Sequence, residues 1–479
     1  MGRQSRIFPP LALLGVLALA GCGNGGGNST PPPSPPASVE WVKHWNHVAI
    51  DASGLDHTPL KPGETRTFGE QLGPTRSSRA IAIVEVAVFE AVNAITGRYE
   101  SYTGLQGAPA DTSMKAAIAQ AAHDTLSEMF PSQTPAFDQQ LADDLAAVED
   151  GAAQKEAGID LGRRAAISIL ELRADDGSDR PEPKVNIDYI PGDGPGVWRQ
   201  DPISKHPLAL GAYWGEVRPF VMTSGAQFRT PPPPALDSPE YAAAYGEVLS
   251  LGGDGIHTPT DRTPDQTSIG IYWAYDGTPS LCAPPRLYNQ ITAEIADLEG
   301  ADLVEMARLF ALVNVAMADA GIGIWESKYY YKFWRPVGGI READTDGNPD
   351  TVADPTFMPL GAPASNGTGP NFTPPFPSYP SGHAGFGGAL FEMLRNVFGT
   401  DDIPFTFTSD EYNGITVDNQ GNVRELHPRS FTSLSQAENE NGQSRIYLGI
   451  HWSFDKEQGI EQGRRIADYV FQNLYLPRT

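Results

Sequence analysis

The chain has 479 residues, enough to bury a large core without cross-links, and its 50 Gly and 43 Pro stay below the roughly 25–30% share that marks low-complexity chains. A formal charge of −25 excludes non-specific binding to a nucleic-acid backbone, which needs a basic face, but leaves room for a local cationic pocket. The two cysteines, Cys22 and Cys282, exclude a disulfide scaffold and a Cys-ligated metal cluster.

In chain order, residues 1–21 carry Arg3 and Arg6 and then an apolar run ending Leu19-Ala20-Gly21-Cys22, the pattern of an export signal too short to span a bilayer comfortably. Its end resembles a bacterial lipobox, which implies lipidation of Cys22 and an exported lipoprotein held at a membrane, periplasmic or at the cell surface, by that anchor alone. Residues 22–38, rich in Gly, Ser and Pro, read as a flexible tether, and 39–479 as the helical body, with its chemistry in 325–460. Apolar residues three and four apart predict helices over Ser77–Ile95, Met114–Met129, Ala136–Val148 and Ala153–Leu172. The stretch Asp176–Pro239 has no sustained period and is expected to run as an ordered connection over the surface. Further helices are expected over Thr263–Tyr275, Pro285–Leu298, Ala301–Lys332, Gly382–Val397, Phe431–Leu448 and Lys456–Leu474. The expected fold is all-α: two associated helical bundles with long Pro/Gly-rich connections.

Three blocks carry the chemistry. Lys328 and Arg335 are seven apart, so on a continuing helix both leave one face, and Pro336 ends it; two cations on one face make an anion clamp, or else a solvated surface pair. Pro380-Ser381-Gly382-His383 opens an apolar helix, so Ser381 and Gly382 sit where unpaired N–H groups and the helix dipole favour an oxyanion, and His383 is placed to exchange a proton with it. In the third block Arg445 precedes His451 by six residues, and Asp455 follows it by four, placed to fix the imidazole tautomer and raise the basicity of its other nitrogen. Arg445 adds a third cation with bidentate geometry. The segment Asp344–Asp350 alternates oxygen ligands like a calcium loop but lacks the glycine and the terminal glutamate such a loop uses.

Together, Lys328-x6-Arg335-Pro336, Pro380-Ser381-Gly382-His383 and Ser444-Arg445-x5-His451-x3-Asp455 resemble the signature of the vanadium-dependent haloperoxidase and type 2 phosphatidic acid phosphatase superfamily, complete and in order. The resemblance runs from the Arg79 helix through Trp273-Ala274-Tyr275-Asp276 to the C-terminus and implies a fold of the vanadium chloroperoxidase type. It implies a vanadate cofactor bonded to His451, with oxygens held by Lys328, Arg335, Ser381, the Gly382 N–H and Arg445. His383 would take a proton from hydrogen peroxide, Lys328 would polarise the bound peroxide, and halide would be oxidised to hypohalous acid that halogenates an organic acceptor. Trp325 and Phe376 match aromatic positions near the halide site of chloroperoxidase-like members, and Asp276 is the expected partner of Arg445. The alternative is an acid phosphatase in which His451 becomes phosphorylated and His383 protonates the leaving alcohol. A third reading is a surface lipoprotein that binds oxyanion without turnover. The chain's length and its lack of a membrane span after the signal favour the peroxidase.

Overall fold

The computed structural model describes residues 39–478; the signal, Cys22 and tether assignments lie outside the described residues. Thirteen helices are seen among them: α1 Glu40–Asp56, α2 Gly73–Thr96, α3 Met114–Met129, α4 Thr134–Ala147, α5 Ala152–Arg173, α6 Pro239–Leu251, α7 Pro264–Tyr272, α8 Pro284–Leu298, α9 Leu303–Tyr331, α10 Pro336–Arg341, α11 Gly382–Phe398, α12 Leu434–Tyr447 and α13 Ser453–Asn473. Two three-residue strands, Phe405–Phe407 and Arg429–Phe431, pair antiparallel with Phe405 opposite Phe431. The fold is all-α, as expected.

Local chemistry sets the helix ends. Ser113, Ser238, Thr263, Asp302, Ser381 and Ser433 each cap a helix by accepting a backbone N–H from its first turn, which satisfies donors the helix leaves open. Prolines sit in the first turn of α2, α4, α6, α7, α8 and α10, where no N–H is needed. Three helices go beyond the predicted set, α1, α6 and the six-residue α10. In α1, Val42, Trp45, Ala49 and Ala52 give the apolar stripe; α6 follows the proline run and starts at Ser238-Pro239.

The 29-residue α9 is the axis. It is long and apolar enough to cross a membrane, yet it lies buried inside the fold and packs against α2, α11 and α13. One continuous apolar cluster runs from Val42 in α1 through α2, α3, α5 and α9 to α13, so the expected two bundles share α9 and fuse into one compact unit. The 176–239 connection departs from the expected surface course. Trp198, Trp214, Phe220 and Met222 are buried, and the buried Asp319 of α9 accepts the N–H groups of Phe220, Val221 and Met222 at 2.6–2.9 Å, fastening the segment to the core.

The closest helix pair is α11 with α13, and glycine makes it possible. A Cβ on Gly463 would lie 2.0 Å from the Gly385 carbonyl oxygen, one on Gly459 2.7 Å from that of Ser381, and one on Gly388 2.5 Å from that of Ile460. Backbone thus meets backbone, and the N-terminal ends of α11 and α13 are held side by side, the Ser381 N–H donating to the Asp455 carbonyl at 2.9 Å.

Candidate active site

Those two helix starts, the ends of α9 and α12, the residue before α10 and the segments at 276 and 376 supply the predicted residues, whose side chains are all buried. Lys328 sits in the last turn of α9, but Arg335 is not on a continuation of it. The helix stops at Tyr331, Lys332 turns left-handed (φ 52°), and Arg335 is the extended residue before α10, with Pro336 opening that helix rather than ending α9. The two cations converge through shared acceptors instead of helical periodicity. Lys328 Nζ donates to the carbonyls of Pro377 and Ser378, each at 2.8 Å, and Arg335 Nε donates to the carbonyl of Phe376 at 2.9 Å, so three successive carbonyls leading into α11 hold both.

His451 also precedes its helix, with Trp452 as the cap residue and Asp455 in the first turn. Asp455 Oδ2 accepts from His451 Nδ1 at 2.7 Å, from the Trp452 N–H at 3.1 Å and from the Ser378 hydroxyl. With Nδ1 protonated, Nε2 carries the lone pair, and Arg335 Nη1 donates to it at 2.9 Å. His383, in the first turn of α11, has Nε2 at 2.5 Å from the Ala274 carbonyl, which makes Nε2 the protonated nitrogen and Nδ1 the free base. Arg445 Nη2 forms a fork with both oxygens of Asp276, at 2.7 and 2.9 Å, so that pairing is as expected.

Electrostatics sharpen the picture. Three buried cations, Lys328, Arg335 and Arg445, face two buried carboxylates, Asp455 and Asp276, which leaves a net positive site. Burial, then the cations Arg335, Lys328 and Arg445 around it, hold the His451 imidazole well below its ordinary pKa; burial and chiefly Arg445 do the same for His383. Both histidines are therefore neutral near pH 7. Burial, with Arg335 next to it, also pushes the Lys328 ammonium down, and burial raises the Asp455 carboxyl. Arg335 Nη2 and Arg445 Nε and Nη1 are buried donors with no partner among the described residues. Unmatched donors, excess positive charge and an imidazole lone pair held only by a mobile guanidinium N–H suit one guest: a tetrahedral oxyanion.

The site forms one end of a cavity of about 560 Å³ whose walls include Asp276, Gly382, His383, Arg445 and His451. Trp325 and Phe376 line the same cavity with ring centroids 4.8 Å apart, and Lys328 Nζ lies 5.7 and 5.2 Å from those centroids. Two glycines allow this. At Gly211 (φ +76°) a Cβ would lie 2.3 Å from the Trp325 ring, and at Gly382 it would lie 3.2 Å away, while Trp325 Nε1 donates to the Leu210 carbonyl at 3.1 Å.

Several supports carry no sequence signal of their own. Ser378 on Asp455, and Tyr288 and Asn441 on the His383 carbonyl at 2.9 and 3.0 Å, are distant in the chain and become partners only on folding. The Asp344–Asp350 segment is a closed turn: the Asp346 carboxylate accepts from the Asn348 N–H and the Thr351 hydroxyl, and no cluster suited to a metal is found among the described residues.

A mostly helical protein with a buried, cationic, histidine-bearing oxyanion pocket defines the class. The profile of the VCPO second helical-bundle domain matches residues 308–476, from within α9 into the residues after α13. Vanadium chloroperoxidase of Curvularia inaequalis is 31% identical over 90% of this chain and 82% of its own length. The chain belongs to the vanadium chloroperoxidase family. Among solved structures, the first bacterial vanadium-dependent iodoperoxidase superposes with a TM-score of 0.72 at 24% identity, covering 94% of this chain and 100% of that one. A holo-type bacterial vanadium-dependent chloroperoxidase gives 0.62 at 16% identity, covering 89% and 97%. These two share the fold.

Proposed function

We propose that this protein is a vanadate-dependent haloperoxidase, oxidising halide with hydrogen peroxide to hypohalous acid that halogenates an organic acceptor. The carrying observation is the set of unmatched buried donors on Arg335 and Arg445 around the lone pair of His451. In this reading His451 Nε2 would hold vanadate in place of its present partner, Arg335 Nη1, and Asp455 keeps the other nitrogen protonated so that Nε2 retains its basicity. Arg335, Arg445, Lys328, the Ser381 hydroxyl and the Gly382 N–H would hold the vanadate oxygens. Bound vanadate supplies Lewis acidity that activates peroxide toward halide.

His383, neutral and with Nδ1 free, would take up the proton released by hydrogen peroxide and hand it on to the departing oxygen. Lys328, kept rigid by two carbonyls, places positive charge beside the site at no reorganisation cost. Trp325 and Phe376 give the halide an apolar neighbourhood in which it is poorly hydrated. The remaining cavity wall, largely proline and aliphatic, suits an apolar organic acceptor. The phosphatase alternative is set aside, since the extended sequence match is to a chloroperoxidase.

Halogenation of a dye in the presence of peroxide and bromide, chloride or iodide tests the assignment. Apo-protein should be inactive, restored by vanadate and blocked by excess phosphate; no activity with any halide would contradict it. We also propose an exported lipoprotein anchored through Cys22, supported by the lipobox-like sequence Leu19–Cys22. Labelling with radioactive palmitate should mark the wild type and not Cys22→Ser.

A further inference from the structure

A second cavity, of about 350 Å³, lies on the other side of Arg335, and its walls include Arg199, Gly338, Arg341, Glu342 and Thr373. Arg335 belongs to its wall, and Pro374 belongs to the walls of both cavities, so the oxyanion site is approached from two directions. The two approaches differ in chemistry. Beyond the oxyanion site the large cavity is walled mostly by proline, aliphatic and aromatic groups, whereas the small one sets three guanidinium groups, with Asp201 and Glu342, beside Trp198 and Trp334.

The acidic groups of the small cavity, Asp201 and Glu342, cancel that charge only in part, two carboxylates against three guanidinium groups. The Asp201 carboxylate is committed to the Ile203 and Ser204 N–H groups and the Ser204 hydroxyl. Glu342 pairs with Arg199 at 2.6 Å, and both side chains are partly exposed, at 33% for Arg199 and 40% for Glu342, so this ion pair stands at the surface end. Arg341 Nε is tied to the Phe357 carbonyl at 2.9 Å, which fixes its charge in place. Arg199 Nε and Thr373 Oγ1 are buried and meet no partner among the described residues, a hydrogen-bonding deficit like the one inside the oxyanion site. At the inner end stands Arg335, whose Nη1 occupies the His451 lone pair and must move for anything to bond there.

We propose that this second cavity is a vestibule that takes a small inorganic anion to the Arg335 side of the oxyanion site, leaving the large cavity to the organic acceptor. The inference rests on the oxyanion-site reading above. A small anion is passed from the Arg199 and Arg341 end to Arg335, which releases His451 as it turns to the arriving charge. Low-dielectric walls and an excess of positive over negative fixed charge focus the field on such an ion, whereas an apolar acceptor gains nothing there.

A plug tests it. A Cβ on Gly338 would meet nothing within 4 Å, so Gly338→Phe fills the vestibule without displacing backbone. The readout is uptake of orthovanadate by the full-length apo-protein, followed as loss of free vanadate in ultrafiltrates, with Thr368→Trp at the wall of the large cavity as the comparison. Gly338→Phe should slow uptake and release together by about tenfold or more with equilibrium affinity unchanged, and Thr368→Trp should slow neither. Arg199→Glu, which leaves the volume open, should slow uptake at least about fivefold at low salt, the gap closing at high salt; it decides the matter if the phenylalanine variant does not fold. A halide arm, KM for bromide at saturating vanadate, tells which anion uses the route: a rise in Gly338→Phe assigns halide to it as well. Wild-type uptake rates and bromide KM in both vestibule variants would overturn the vestibule alone, whereas failure of every protein, wild type included, to retain vanadate would overturn the oxyanion site and the vestibule with it.

Discussion

Two buried polar clusters sit in this fold, and they handle the same physical problem in opposite ways. At the junction of α1, α2, α8 and α9, Asn46 donates to Glu85 and to Asn289, and Asn289 and Asn314 bond each other, all at 2.8–2.9 Å. Burial pushes the Glu85 carboxyl up to about 7, with the Asn46 bond opposing, so this cluster is close to neutral and, Glu85 Oε2 apart, satisfied from within. At the starts of α11 and α13, three cations and two neutral histidines keep N–H donors on Arg335 and Arg445 and the His383 Nδ1 lone pair unmatched. A buried polar group without a partner costs roughly 1–3 kcal/mol, more if charged, so only a bound anion makes the second cluster sound. The contrast teaches that hydrogen-bond deficit, rather than burial or charge alone, marks the functional cluster.

The comparison breaks first at His383. His383→Ala should lower halogenation turnover by about 10²- to 10⁴-fold, the usual contribution of a positioned base, while vanadate binding measured by equilibrium dialysis stays within severalfold. Loss of binding instead of turnover would make His383 a ligand and not a base.

Helix packing sharpens it next. In α5, Gly162 is pressed on α3, where a Cβ would lie 2.6 Å from the Ala117 carbonyl oxygen, much as Gly463 is pressed on Gly385. Gly162→Ala and Gly463→Ala should each lower stability by about 1–3 kcal/mol in urea unfolding. Only Gly463→Ala should also cost activity per folded molecule, about 100-fold, because it separates the helix starts that carry His383 and Asp455.

The smallest effect belongs to the satisfied cluster. A carboxyl whose folded pKa is raised from 4.5 to about 7 weakens the fold progressively as pH climbs between those values and contributes no penalty below the lower one. Glu85→Gln should therefore gain stability over the wild type at pH 8, by roughly 3 kcal/mol at most, and gain none at pH 4. An equal difference at both pH values would mean that the carboxyl stays ionised in the fold.

Much of the second cluster is legible in the sequence, because Ser381–His383 and His451–Asp455 each span the start of a helix and Arg445 closes the helix before. Ten helices were legible from the three-and-four period and their caps. The route by which Lys328 meets Arg335 was not: a helix break at Lys332 and shared carbonyls at 376–378 replace the periodic face that the seven-residue spacing suggested. Trp198, Trp214 and Phe220 were hidden in a stretch without period because their burial depends on Asp319, about a hundred positions away. Long-range acceptors leave no local pattern to read.

The most direct test is a crystal structure of the apo-protein soaked in orthovanadate. The account predicts vanadium bonded to His451 Nε2, Arg335 Nη1 withdrawn from that nitrogen, and the free N–H groups of Arg335 and Arg445 directed at vanadate oxygens. Vanadate bound elsewhere, or His451 still capped by Arg335 at saturating vanadate, would contradict it.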